Sequence, residues 1–108
     1  MKLIIRSRDL ELTEILREQI KRRIYFSLSR FGNKVLGVSV DLQTKGGSGP
    51  TAELCCQILV NLGRTVDLRV EASNTDLHSA VSLAAARANR AVQRAVERLE
   101  KPDRLSPP

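Results

Sequence analysis

Five cations near the end of the chain, Arg87, Arg90, Arg94, Arg98 and Lys101, recur at steps of three and four residues. At about 100° per residue on a helix they fall within roughly 80° of one another and form one basic ridge. Leu77, Val81, Ala84, Ala88, Val92, Ala95 and Leu99 keep helical spacing on a separate stripe, so this helix buries one side and offers cations on another. Arginine presents planar, permanently charged donors that match phosphate oxygens, and a fixed row of them suits a row of phosphates. The alternative is a solvated helix surface whose charges only keep it wet.

A second basic group, Lys21, Arg22, Arg23 and Arg30, falls on another helical stretch. Residues 13–34 hold six basic and two acidic side chains, whereas residues 38–72 hold three basic and four acidic. The helical segments therefore carry the positive excess. Tyr25 lies roughly opposite the apolar stripe of its helix, near Lys21 and Arg22, where it can stack on a nucleobase. Enzymatic chemistry finds little to use. His78 has no partner at metal or triad spacing and reads as a half-exposed surface histidine. The Gly46 to Gly49 loop precedes a strand and lacks a Gly-Lys-Ser/Thr ending, so it matches no phosphate-binding fingerprint. No metal, cofactor or small-molecule substrate is expected.

The elements that must position these side chains follow from periodicity. Residues 2–7 alternate as a short strand, with Leu3 and Ile5 on one face and Lys2, Ile4 and Arg6 on the other. Thr13 can cap a helix in which Leu16, Ile20, Ile24 and Phe31 keep helical spacing as far as Gly32. A second strand is expected from Val35 to Thr44, with Leu36, Val38, Val40 and Leu42 inward. A third runs from Ala52 to Leu62, and Gly63-Arg64 reverses the chain into a fourth over Thr65 to Ala72. Asn74 or Thr75 opens the long final helix, Asp76 sits in its first turn, and Pro102 ends it.

The order strand, helix, strand, strand, strand, helix predicts an α+β fold: a four-stranded mixed sheet with two parallel helices on one face. A right-handed crossover followed by two hairpins makes both helices run the same way. Arg22, Arg23 and Arg30 are then expected to join Arg94, Arg98 and Lys101 in one field. The open face of the sheet is expected to show Asp41, Glu53, Asp67 and Glu71 with Cys55, Leu59 and Ile4. It lacks the aromatic platforms on which sheet-type RNA readers stack bases. The small apolar patch offers a weak homodimer as an alternative use of that face.

The 108 residues are the length of one domain, expected over residues 1–101 with a disordered tail at 102–108. A net charge of +6 and a pI near 10.0 point to polyanionic partners. No apolar run reaches membrane-spanning length, and the short hydrophobic start does not resemble a secretory signal, so the chain is expected in the cytoplasm. Cys55 and Cys56 are adjacent and point to opposite faces of a strand, which makes them buried or half-buried free thiols.

With these pieces in order, the sequence resembles the ribosome hibernation-promoting factors, a family also known as ribosome-associated inhibitors or sigma-54 modulation proteins. The resemblance rests on Leu12-Thr13-Glu14-Ile15-Leu16-Arg17 opening the first helix, and on Asn74-Thr75-Asp76-Leu77-His78-Ser79-Ala80-Val81 opening the second. Arg87, Arg90 and Arg94 fall where the family carries its basic ridge. The resemblance implies a non-enzymatic protein of the short kind. It implies a site in the messenger and transfer RNA channel of the small ribosomal subunit, with basic helices facing ribosomal RNA and initiation blocked in idle cells. The sequence departs from the family at His78, where an aromatic residue is usual, and at Phe26 and Ser29, near which basic residues are frequent. Part of the first-helix cationic row is thus absent, which ranks Arg22, Arg23 and Arg30 behind the final-helix arginines. The leading expectation is a ribosome-binding translation inhibitor. The alternatives are a protein-interaction module using the sheet and a general nucleic-acid binder.

Overall fold

Thr13 starts the first helix because its hydroxyl accepts a hydrogen bond from the Leu16 amide at 3.1 Å, satisfying one of the donors that a helix start leaves unpaired. The computed structural model of the chain describes residues 1–46, 52–63 and 66–100. Within it the elements run β1 (Lys2–Ser7), α1 (Glu14–Leu28), β2 (Gly37–Lys45), β3 (Glu53–Asn61), β4 (Asp67–Asn74) and α2 (Leu77–Glu100). This is the expected order. Lys101, the anticipated tail at 102–108, residues 47–50 of the expected loop, Thr51, and Arg64 with Thr65 lie outside the described residues.

The four strands form one sheet in the order β1-β2-β3-β4, with β1 parallel to β2 and the remaining pairs antiparallel. Alternation sends Val38, Val40, Leu42, Cys56, Ile58, Val60 and Ala72 to the helical side, where all are buried. From the helices come Ile20, Ile24 and Leu28 of α1, and Ala80, Val81, Ala84, Ala85, Ala88, Val92 and Ala95 of α2. Five alanines on the buried stripe of α2 leave little side chain between helix and sheet, so the helix seats closely over β3 and β4. Full burial of one Ile or Leu stabilises by about 1.5–3 kcal/mol, and Ile24, at 0% exposure, is such a residue.

Three boundaries differ from the sequence reading. The first helix ends at Leu28 and the chain tightens into a 3-10 segment over Ser29–Lys34, in which Gly32 takes φ +62°. That left-handed backbone stops helical propagation and favours glycine. Leu36 was expected in the core, yet it is 54% exposed and Val35 is buried in its place. The regular pleat begins only at Gly37, so the alternation does not extend back to Leu36, whose side chain lies over Gly63. The final helix opens later than expected. The fourth strand continues to Asn74, whose side chain accepts from the Asp76 amide at 2.9 Å. Asp76 is then the cap, accepting from both the amide and hydroxyl of Ser79 at 2.9 Å.

The helices are parallel, and their contacts advance together along both chains. Arg23 shares a cleft with Leu77, His78, Val81 and Ser82. The Asn89 amide donates to the Ser27 carbonyl, Arg30 meets Asn89 and Gln93, and Lys34 pairs with Glu100.

Candidate nucleic-acid interface

The stripe that α2 buries determines what its other side can do. Arg87, Arg90, Arg94 and Arg98 are all exposed, about a third of a turn from the alanine stripe. Among the described residues two ion pairs form, Lys21 with Glu18 at 3.4 Å and Lys34 with Glu100. Neither draws on the α2 arginines, so their charge is not neutralised by carboxylates of the described chain. A row of guanidinium groups on a rigid helix is thereby held ready for an anionic surface.

Arg87 differs from its three companions. Its Nη1 donates to the backbone carbonyl of Glu71 at 2.7 Å, which fastens part of the side chain to the edge of β4. Arg90, Arg94 and Arg98 make no hydrogen bond or ion pair among the described residues.

The cations of α1 and of the 3-10 segment that follows it divide in three ways. Arg30 is a brace between the helices: its Nη2 donates to Asn89 Oδ1 at 2.8 Å and Gln93 Oε1 at 2.9 Å. Its guanidinium carbon lies 4.5 Å from the Phe31 ring centroid, a cation–π distance. Lys21 is paired with Glu18. Arg22 and Arg23 are exposed and border a cleft with Gln19 and Phe26.

The single cationic field expected at one pole is therefore divided. Arg30 meets the middle of α2, while Arg23 stands beside its first turns. The cause is stagger together with unequal length. The first turns of α2 lie beside Gln19 and Arg23, midway along α1, and helices of 15 and 24 residues are about 22 and 36 Å long at 1.5 Å per residue, so the last turns of α2 run on past α1. Leu99, expected in the core, is 54% exposed for the same reason, since it lies beside Leu62 beyond the end of β3.

One residue was missed as a stacking candidate. Phe26 is 79% exposed beside Arg22 and Arg23, whereas Tyr25, the aromatic chosen from the sequence, is 40% exposed. The available signal was an aromatic residue off the Ile20, Ile24, Leu28 stripe, three and four residues after two arginines.

Electrostatics elsewhere is structural. The bonds from Ser79 and the neighbouring His78 hold the Asp76 carboxyl below the ordinary value of 3.8, and bonds from the Thr44 hydroxyl and amide do the same for Asp9. Burial, reinforced by Cys55 and Asp41, pushes the Cys56 thiol up to about 12. Both cysteines are free and buried. Cys55 was expected to join an apolar patch on the open sheet face but is 2% exposed. It is flanked by Gln43 and Ser73 on neighbouring strands, and its thiol donates to Glu71 Oε2 at 3.6 Å. The patch thereby reduces to Ile4 and Leu59, separated by Ser39. Among the described residues no group of three or more His, Cys, Asp or Glu is arranged to hold a metal ion, and no helix is long and apolar enough to cross a membrane.

A family profile described as sigma 54 modulation protein / S30EA ribosomal protein matches residues 3–100. Among solved structures, the chain is similar to the N-terminal domain of Thermus thermophilus Protein Y, with 25% identity and a TM-score of 0.72 over 87% of this chain and 98% of that one. It is similar in fold to a ribosomal subunit interface protein from Coxiella burnetii, with 10% identity and a TM-score of 0.75 over 90% and 99% of the two chains. A comparison with curated proteins finds no match.

Proposed function

Because the chain belongs to the sigma 54 modulation protein / S30EA ribosomal protein family, we propose that it binds the small ribosomal subunit in the cytoplasm and inhibits translation by occupying the decoding channel. The carrying observation is the row of exposed guanidinium groups at Arg90, Arg94 and Arg98, none paired with a carboxylate among the described residues, on a helix whose alanine stripe, about a third of a turn away, is locked into the core. In this reading the row faces ribosomal RNA. Arginines on one rigid helix neutralise successive phosphates without losing much side-chain freedom. Such contacts supply affinity and orientation, and specificity comes from the shape of the cleft that admits the two-helix layer.

No bond-making chemistry is required of the protein. Its role is steric and electrostatic, that of a folded plug in an anionic channel. Arg87 contributes through the donors it does not spend on Glu71, and Arg30 contributes by holding α1 against α2.

The test is cosedimentation with ribosomal subunits across a salt series. Each phosphate contact released by salt contributes a log–log slope of about −0.7 to −0.9, so three to four arginines give roughly −2 to −4. Small-subunit selectivity with that slope is the expected result. Salt-insensitive binding, or equal binding to free duplex RNA, overturns the reading.

A further inference from the structure

Phe26 presents 79% of its surface to solvent from the last turn of α1. A large aromatic residue in that position costs apolar exposure that a lysine or glutamate there avoids, and such patches commonly mark sites of interaction. Its surroundings indicate what covers it. Gln19, Arg22, Arg23 and Phe26 line one cleft of about 320 Å³. Gln19 and Arg23 continue into a second cleft of about 250 Å³, closed on its far side by His78 and Ser82 at the start of α2. Arg22 and Arg23 make no ion pair or hydrogen bond among the described residues.

From this we infer that α1 and the start of α2 form a binding site for an unpaired nucleotide of single-stranded RNA. The base stacks on Phe26, and its flanking phosphates lie against Arg22 and Arg23. One helical turn separates Arg22 from Phe26, about 5–6 Å between side-chain origins, a distance on the scale of one nucleotide. Gln19, His78 and Ser82 supply donors and acceptors for base edges along the adjoining cleft. The opposite direction suits a polyanion less well, because the neighbouring cleft adds Glu14, Ile15 and Glu18 to the shared Gln19 and Arg22, although Glu18 is paired with Lys21. The strand therefore runs from Phe26 toward His78.

A protein partner is the competing occupant, and it would cover Ile15, 73% exposed on the same helix, together with Phe26. The cations favour RNA. They cluster at the Phe26 end of α1, while the acidic residues bracket Ile15. The choice of RNA as ligand rests on the function proposed above, but the site is separate from the α2 ridge and is tested separately.

The chain contains no tryptophan, so Phe26→Trp introduces a single indole at the proposed stacking position. Titration with short single-stranded oligoribonucleotides at low salt is expected to quench it saturably. Labelled oligonucleotide binding should weaken about tenfold or more in Phe26→Ala, since base–aromatic stacking carries about 1–3 kcal/mol. Arg22→Glu with Arg23→Glu should weaken it further, while Ile15→Ala leaves it unchanged. These side chains are exposed, so circular dichroism should report an intact fold for every variant.

An unquenched indole, wild-type affinity in Phe26→Ala, or loss of binding in Ile15→Ala equal to that in Phe26→Ala each overturns the site. Ribosome cosedimentation of the same variants separates the two proposals. Loss on reversing Arg90 and Arg94 with an unquenched Phe26→Trp leaves the ribosomal reading standing without this site. Quenching in a protein that ignores ribosomes does the reverse.

Discussion

Arg87 reaches off α2 to bind the backbone of Glu71, its Nη1 lying 2.7 Å from the carbonyl oxygen on the outer edge of β4. Arg17 of α1 does the same at the other edge, donating to the Ile5 carbonyl of β1 at 3.0 Å. Each helix thus places one guanidinium over an unpaired edge carbonyl. Charged side chains at sheet edges discourage pairing with another chain, so these two arginines guard the sheet while their neighbours remain available.

This division of labour predicts unequal effects along the ridge. Reversing Arg90 and Arg94 to Glu should abolish small-subunit cosedimentation without altering the circular dichroism spectrum. Arg87→Ala should reduce binding less than Arg90→Ala and should increase self-association measured by light scattering. Undiminished ribosome binding by the double reversal at low salt rules out the proposed interface.

Arg30 is predicted to act on stability more than on binding. A double-mutant cycle with Arg30→Ala and Gln93→Ala in urea should give a coupling energy of about 1 kcal/mol, the scale of a solvent-accessible charged hydrogen bond. Additive effects would remove the brace from the account.

Close seating of α2 on the sheet predicts intolerance of larger side chains. Ala88→Leu should destabilise by about 1–3 kcal/mol through overpacking, and Ile24→Ala by about 2–5 kcal/mol through loss of buried volume. Urea midpoints at constant m-value provide the measurement.

The carboxyls of Asp9 and Asp76 titrate below 3.8 in the folded chain. A lowered folded value means that the unfolded chain binds protons first as pH falls, so their stabilisation is present above the ordinary value and disappears below it. The thermal midpoint should fall on the acid side. Combined Asp9→Asn and Asp76→Asn should flatten that fall, and an unchanged acid limb would contradict the assignment.

Cys56 has the opposite sign. With its thiol at about 12 against an ordinary 9.0, the folded chain holds the proton longer. Its stabilisation is complete below the ordinary value and is lost as pH rises through the folded one. Near neutral pH the native protein should resist iodoacetamide at Cys56 and react only once unfolded, as mass spectrometry of the labelled peptide can show.

Much of the fold was legible because its signals are local. The Thr13 cap, the Leu16, Ile20, Ile24 spacing and the Val38, Val40, Leu42 alternation each lie within a few residues and survive into the structure. Leu36 was misplaced because alternation says which residues share a face only within a continuous pleat, and the pleat starts at Gly37. Asp76 was passed over as the cap because Asn74 and Thr75 have equally suitable side chains. The extension of β4 through Asn74 settles the choice.

The candidate site divides along the same line. By itself the sequence determined that α2 has an apolar stripe and a basic one, because helical periodicity depends on residue spacing alone. It also determined the order of elements and, through the handedness of crossovers, the parallel run of the helices. Only the tertiary structure decided which cations are spent and which are free. Arg87 finds Glu71 across 16 positions and Arg30 finds Gln93 across 63, partners that no local pattern can specify. Tertiary packing also left Phe26 uncovered beside Arg22 and Arg23, since exposure depends on what the rest of the chain places nearby and not on the residue's own hydrophobicity.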